Sequence, residues 1–287
     1  MYSTSLLVST RKILSVFCCV FLWCEIGVAD DLIEQHRKLM KTAISECNTS
    51  RLAKLINTPY VEVDDKPSPG FNGTYLAHVV RAQNCSADDK LSMARVLLEN
   101  DANPDGGLGP PGSTIVMEVA TSMPGRAVEM TDMLLGQGLD NLRYDLGQGN
   151  NTMHFIAAWT PGAGRLSADQ IVSIMDLMLK NRASITLTND KRQTPLIYAA
   201  WHYADPKAAE FLLDHGADID LADSCDMTAI DYAQITNAGP GPYLKFSPDF
   251  RAKNPGIVSK ADALFETLKK RGAKVRELPD VVRLNCN

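Results

Sequence analysis

The apolar and polar positions of this chain fall into one pattern that recurs along its length. Thr194-Pro195-Leu196-Ile197-Tyr198-Ala199-Ala200 runs from a threonine through apolar side chains to two small ones. Phe211-Leu212-Leu213 follows, and then His215-Gly216-Ala217-Asp218-Ile219-Asp220. Thr228 to Ala233 repeats the opening. Upstream, Thr152 to Ala158 is paired with Met178-Leu179 and Arg182-Ala183-Ser184. Thr114 to Ala120 is paired with Leu134-Leu135, and Thr74 to Val80 with Leu97-Leu98 and Asp101-Ala102-Asn103. The opening threonines at 74, 114, 152, 194 and 228 are spaced 40, 38, 42 and 34 residues apart. Each copy predicts two short helices. The threonine can cap the first by accepting a bond from an unpaired N–H. The small pair lets neighbouring helices stack closely, and the Leu-Leu pairs supply the buried stripe of the second helix. Gly216 and Gly272 can close second helices in a left-handed conformation. One such unit cannot bury its apolar face alone, so stacking must build the core.

The threonine, apolar pair, small pair and Gly-Ala-Asp ending resemble the ankyrin repeat. That family's period is about 33 residues, so most units here are enlarged. The resemblance implies an all-α ankyrin-repeat solenoid of stacked helix-turn-helix units, with extended hairpin-like tips and long inter-helix loops. About six units would form one domain over residues 30–287. A degenerate N-terminal cap at 30–66 would hold helices Leu32 to Glu46 and Ser50 to Asn57. At the other end, Ala261 to Arg271 reads as a helix closed by Gly272-Ala273, within a C-terminal cap and tail at 260–287. The added residues are expected between the first and second helices, at 82–91, 121–130, 159–170 and the Pro/Gly-rich insertion loop 235–259. Loops so placed line one edge of a solenoid. They are either a binding edge or tolerated surface variation.

The first 29 residues read differently. Arg11-Lys12 precede an apolar run from Ile13 to Cys24, and Gly27-Val28-Ala29 offers small residues for cleavage, the layout of a secretory signal peptide. A run of about 12 residues is short of the roughly 20 a spanning helix needs. Cleavage after Ala29 would leave an exported chain, periplasmic or secreted, with no membrane insertion. Cys47, Cys85, Cys225 and Cys286 would remain in an oxidising compartment. Cys47–Cys85 pairing is expected from matching places in adjacent units, and Cys225–Cys286 if the tail folds back; four buried free thiols are the alternative. Sequons stand at Asn48, Asn72, Asn84 and Asn150.

Composition narrows the function. The 287 residues are 45% hydrophobic and 22% charged with a formal net charge of −5, which excludes a disordered chain and a basic nucleic-acid binder. Lys269-Lys270-Arg271 falls at a helix C-terminus, where it complements the helix dipole. No nucleophile elbow, phosphate loop or zinc-binding helix is present, and no two histidines are spaced as a metal pair. The expectation is therefore no enzyme, no cofactor and no metal.

What remains is a protein partner. The seventh residue after each opening threonine is Arg81, Thr121, Trp159, Trp201 or Ile235, near the inner, concave side. Trp159 and Trp201 should stand side by side there, with His202 and Tyr203 adjacent; Arg143 and Tyr144 mark a hairpin tip. Tryptophan, tyrosine and arginine dominate interface hot spots, although both indoles could equally fill gaps beneath the loops. The resemblance implies an exported binding module, monomeric when unbound, that inhibits or protects a partner as an immunity protein does. A structural or envelope-assembly scaffold is the alternative, with a cryptic enzyme behind it.

Overall fold

The structure, a computed structural model, describes residues 22–58, 62–64, 73–105, 114–139, 148–159, 165–202, 204–235, 243–245, 255–278 and 281–283. Arg143, Tyr144, Tyr203 and Cys286 lie outside the described residues. The helices alternate between an inner and an outer layer. Inner helices are α1 (Leu22–Ser45), α3 (Tyr75–Arg81), α5 (Ile115–Ser122), α7 (Thr152–Ala157), α9 (Pro195–Trp201) and α11 (Ala229–Ile235). Outer helices are α2 (Thr49–Ile56), α4 (Ala87–Glu99), α6 (Ala127–Gly136), α8 (Ala168–Lys180), α10 (Pro206–Asp214) and α12 (Pro255–Lys270). Each inner helix packs on the next inner helix, on its own outer partner, or on both, and the core runs unbroken from Met40 to Ala273. No described helix is long and apolar enough to cross a membrane.

The added length is divided differently from the sequence expectation. In the units with α4 and α8 the outer helix has 13 residues, against 9 in α10. The extension adds about one turn. Residues 121–130 are thus almost all helical, including a 3-10 turn at Pro124–Arg126, and in 82–91 the second half, from Ala87, belongs to α4. The longest stretches between described helices lie between α7 and α8, at 158–167, and between α11 and α12. The last is shorter than expected, because α12 begins at Pro255 rather than Ala261. Proline at the first helical position loses no hydrogen bond and arrives with helical φ. Within that connection, β1 (Tyr243–Lys245) pairs antiparallel with β2 (Val281–Arg283) of the tail. At the other end, α1 starts at Leu22, upstream of the expected Leu32, so its helix spans the proposed cleavage point.

Five outer helices end alike. Gly138, Gly216 and Gly272 adopt φ of 91°, 91° and 98°, and Asp101 and Arg182 fill the same place at 64° and 68°. In each case the following residue bonds back to a carbonyl of the last turn, as in Ala102 N to Leu97 O and Ala217 N to Leu212 O. That is the two-bond left-handed helix stop. Inner-helix starts are less uniform. Thr194 accepts from Ile197 N as expected, whereas Thr74 and Thr114 make no capping bond. Among the unpredicted caps, Ser86 with Asp89 and Ser167 with Gln170 are reciprocal boxes on outer helices.

Cys47 and Cys85 are bonded across the first two units, with Cα atoms 5.4 Å apart. Cys225 is also disulfide-bonded. The tail lies along the last unit: Lys274 pairs with Asp220 at 3.1 Å, and Arg276 with Asp226 at 3.0 Å and the buried Asp231 at 2.9 Å.

The hairpin tips are joined by backbone bonds, Asp190 N to Gln148 O and Ser224 N to Lys191 O, both 2.9 Å. Gly149 makes the first of these possible. Its φ is 71°, and a Cβ there would sit 2.7 Å from Asp190 N. Gly149→Ala should therefore destabilise the protein by about 2 kcal/mol, from the left-handed strain and the clash together. Denaturant unfolding reads this directly; an unchanged midpoint would show that the two tips do not approach so closely.

Candidate functional site

Capping decides which residues face the concave side. The N-cap of α7 is Asn151, not Thr152: its side chain accepts from His154 N while His154 Nδ1 lies 3.3 Å from Asn151 N. Thr152 is then the first helical residue and is fully buried. Counting from Asn151 gives α7 the same burial sequence through Ala158 as α9 has from Thr194 through Trp201, which sets Phe155 in the register of Tyr198 and Trp159 in that of His202. The shared tryptophan register expected from the threonines is therefore displaced by one residue, because asparagine and threonine serve equally as caps.

The two indoles face different neighbours in consequence. Trp201 stacks on Tyr232, centroids 5.1 Å apart, and Lys191 Nζ lies 5.4 Å from the Trp201 centroid. Trp159 lines a cleft of about 510 Å³ with Phe155, Tyr198, His202, Thr121 and Arg165. Both indoles are half-buried and rest against the core. Between them the aromatics are continuous. Phe155 meets Tyr198 edge-to-face at 5.7 Å, Tyr198 meets His202 at 4.4 Å, and His202 stacks on Trp201 at 6.2 Å. Desolvation holds the His202 imidazole below its usual pKa and the Tyr198 phenol above its own. Both are thus neutral at pH 7, and the face is apolar with polar edges.

Beneath this surface a buried polar ladder fixes the tips. Asn189 Nδ2 donates to Asn150 Oδ1 and to Gln193 Oε1, both at 3.0 Å. Gln193 Nε2 reaches Asp223 Oδ2 at 3.2 Å, and Tyr232 donates its hydroxyl to the same oxygen at 2.6 Å. Burial and that carboxylate push the Tyr232 pKa far up. His154 Nε2 lies 2.9 Å from Gln193 O, an atom that can only accept, so Nε2 carries the proton; burial keeps the ring neutral. Asn189 Oδ1 shapes one tip by accepting from Lys191 N and Gln193 N, while Asp190 beside it is exposed; Asp223 Oδ1 does the same at the next tip, accepting from Cys225 N and Met227 N. Asn150 is buried within the ladder, whereas the sequons at Asn48 and Asn84 are exposed.

Stacked helix pairs, outward tips joined unit to unit, and an inner histidine tied to the following unit together define one architecture. The fold is an ankyrin-repeat solenoid. The family described as ankyrin repeats (many copies) matches residues 178–233. The crystal structure of EF0377, an ankyrin repeat protein, is similar to this chain with a TM-score of 0.53 at 17% identity, covering 79% of this chain and 97% of that one. Among curated proteins none matches. Ankyrin repeats are protein-interaction modules. Among the described residues no group of His, Cys, Asp and Glu side chains is placed to hold a metal.

Proposed function

We propose that this is an exported ankyrin-repeat protein that binds another protein through its concave aromatic face and inhibits or protects it. The observation that carries the reading is the unbroken run Phe155–Tyr198–His202–Trp201, with Trp159 on the adjoining cleft. Rigid aromatics lose little entropy on contact and dominate interface energies. Export rests on Arg11-Lys12, the short apolar run and Gly27-Val28-Ala29; the disulfide-bonded Cys47, Cys85 and Cys225 suit an oxidising compartment.

The test places a photo-crosslinking amino acid at Thr121, on the rim of the cleft, or at Lys180, exposed on the outer layer. In the native compartment the Thr121 position should give one dominant protein adduct and the Lys180 position none. Sequencing the mature N-terminus of the same preparation should find Asp30 first. Equal adducts from both positions, or none from either, would overturn the docking face; a chain starting at Met1 would overturn export.

A further inference from the structure

We infer that the concave cleft takes an acidic segment of the partner, a carboxylate next to an aromatic or large aliphatic side chain. This rests on the docking role proposed above and adds the partner's chemistry. The whole chain is acidic, at −5, yet the cleft is not. Among the described residues its lining contains no carboxylate. Arg165 stands exposed at its edge with no ion pair or hydrogen bond among the described residues. Other arginines of the solenoid are committed: Arg81 to Glu118 at 2.9 Å, Arg126 to Asp88 at 2.6 Å, and Arg276 to Asp231 at 2.9 Å.

At the far end of the aromatic run, Lys191 sits over Trp201. The surface is thus an apolar strip with a cation at either end. The complement is an apolar side chain flanked by acceptors. Guanidinium pairs bidentately with carboxylate, and Arg165 needs to break no existing pair to do so. A neutral apolar peptide would fill the cleft but leave Arg165 unmatched; a basic one would be repelled.

The experiment pans a random peptide library, displayed on phage, against the oxidised full chain. Selected peptides are then measured by fluorescence titration at low and high salt. The expected result is enrichment of Asp or Glu beside an aromatic or large aliphatic residue. Changing that carboxylate to its amide, or Arg165→Gln in the protein, should weaken binding about tenfold, and added salt should weaken it further. Arg165→Gln touches no partner in the fold, so its thermal midpoint should be unchanged. Neutral or basic peptides that depend on Tyr198 but not on Arg165 would overturn the acidic assignment while leaving the docking face standing. Peptides indifferent to Trp159, Tyr198 and Arg165 would overturn both. Failure to select any peptide, or self-association of the chain that Arg165→Gln abolishes, would overturn the acidic-segment inference.

Discussion

Asp223→Ala should cost about 4 kcal/mol of folding stability, because it orphans several buried donors at once. The Asp223 carboxylate is nearly inaccessible and accepts from Tyr232 Oη at 2.6 Å, Gln193 Nε2 at 3.2 Å, Cys225 N at 2.8 Å and Met227 N at 3.1 Å. Two of those bonds shape the last hairpin tip, and two tie it to the units on either side. Alanine leaves the tip without its anchor and the Tyr232 hydroxyl without its acceptor. Asp223→Asn keeps one oxygen for the backbone donors but turns an N–H₂ toward groups that already donate, so it should lose about half as much. Urea unfolding of both variants reads the difference. A loss below about 1 kcal/mol for alanine would mean that the ladder is not a closed network.

The second large effect is at the other end of the solenoid. Cys47 and Cys85 are 38 residues apart in sequence and tie the two N-terminal units together. Closing a loop of that length restricts the unfolded chain by about 4 kcal/mol in the chain-entropy account. The Cys47→Ser/Cys85→Ser variant of the oxidised protein should therefore melt well below the parent, with α1 and α2 losing structure first. Among the described elements those helices have a neighbouring unit on one side only, so they depend most on the link. An unchanged midpoint would mean that the two units hold together without the bond.

Much of the fold was legible in the sequence for a plain reason: small pairs such as Ala199-Ala200 and apolar pairs such as Leu97-Leu98 report local packing, and local packing is what repeats. What escaped depends on less regular signals. Asn151 was passed over because Thr152 beside it also looked like a cap. The Asn-x-x-His spacing that closes back on the N-cap was the available clue. Asp101 and Arg182 stop helices without the glycine that marks Gly216, so those two ends were legible only through the alanines that follow them, and the left-handed stop itself was not. Ser86-x-x-Asp89 and Ser167-x-x-Gln170, by contrast, were visible capping boxes, and Pro255 was a visible helix start.

The aromatic site was half legible. Trp159, Trp201 and His202 were singled out, but by a register one residue out for α7. The Phe155–Tyr198 contact was missed as a result. The ladder from Asn150 to Tyr232 could not be read, because its partners are brought together only by stacking, at separations of 30 and 39 residues. Arg165 carried no sequence signal either. Its significance lies in having no partner among the described residues, which only three-dimensional placement reveals.

The central claim is that the inner, aromatic side of the solenoid is the docking surface. Hydrogen exchange on the full chain, alone and bound to the protein that crosslinks through Thr121, tests it most directly. The account expects slowed exchange in the connections at 158–159, 165–167 and 204–205 and at the start of α8, which flank the cleft. The outer faces of α6, α8 and α10 should exchange as before. Protection confined to those outer helices, with the residues around Trp159 and Tyr198 unaffected, would contradict it.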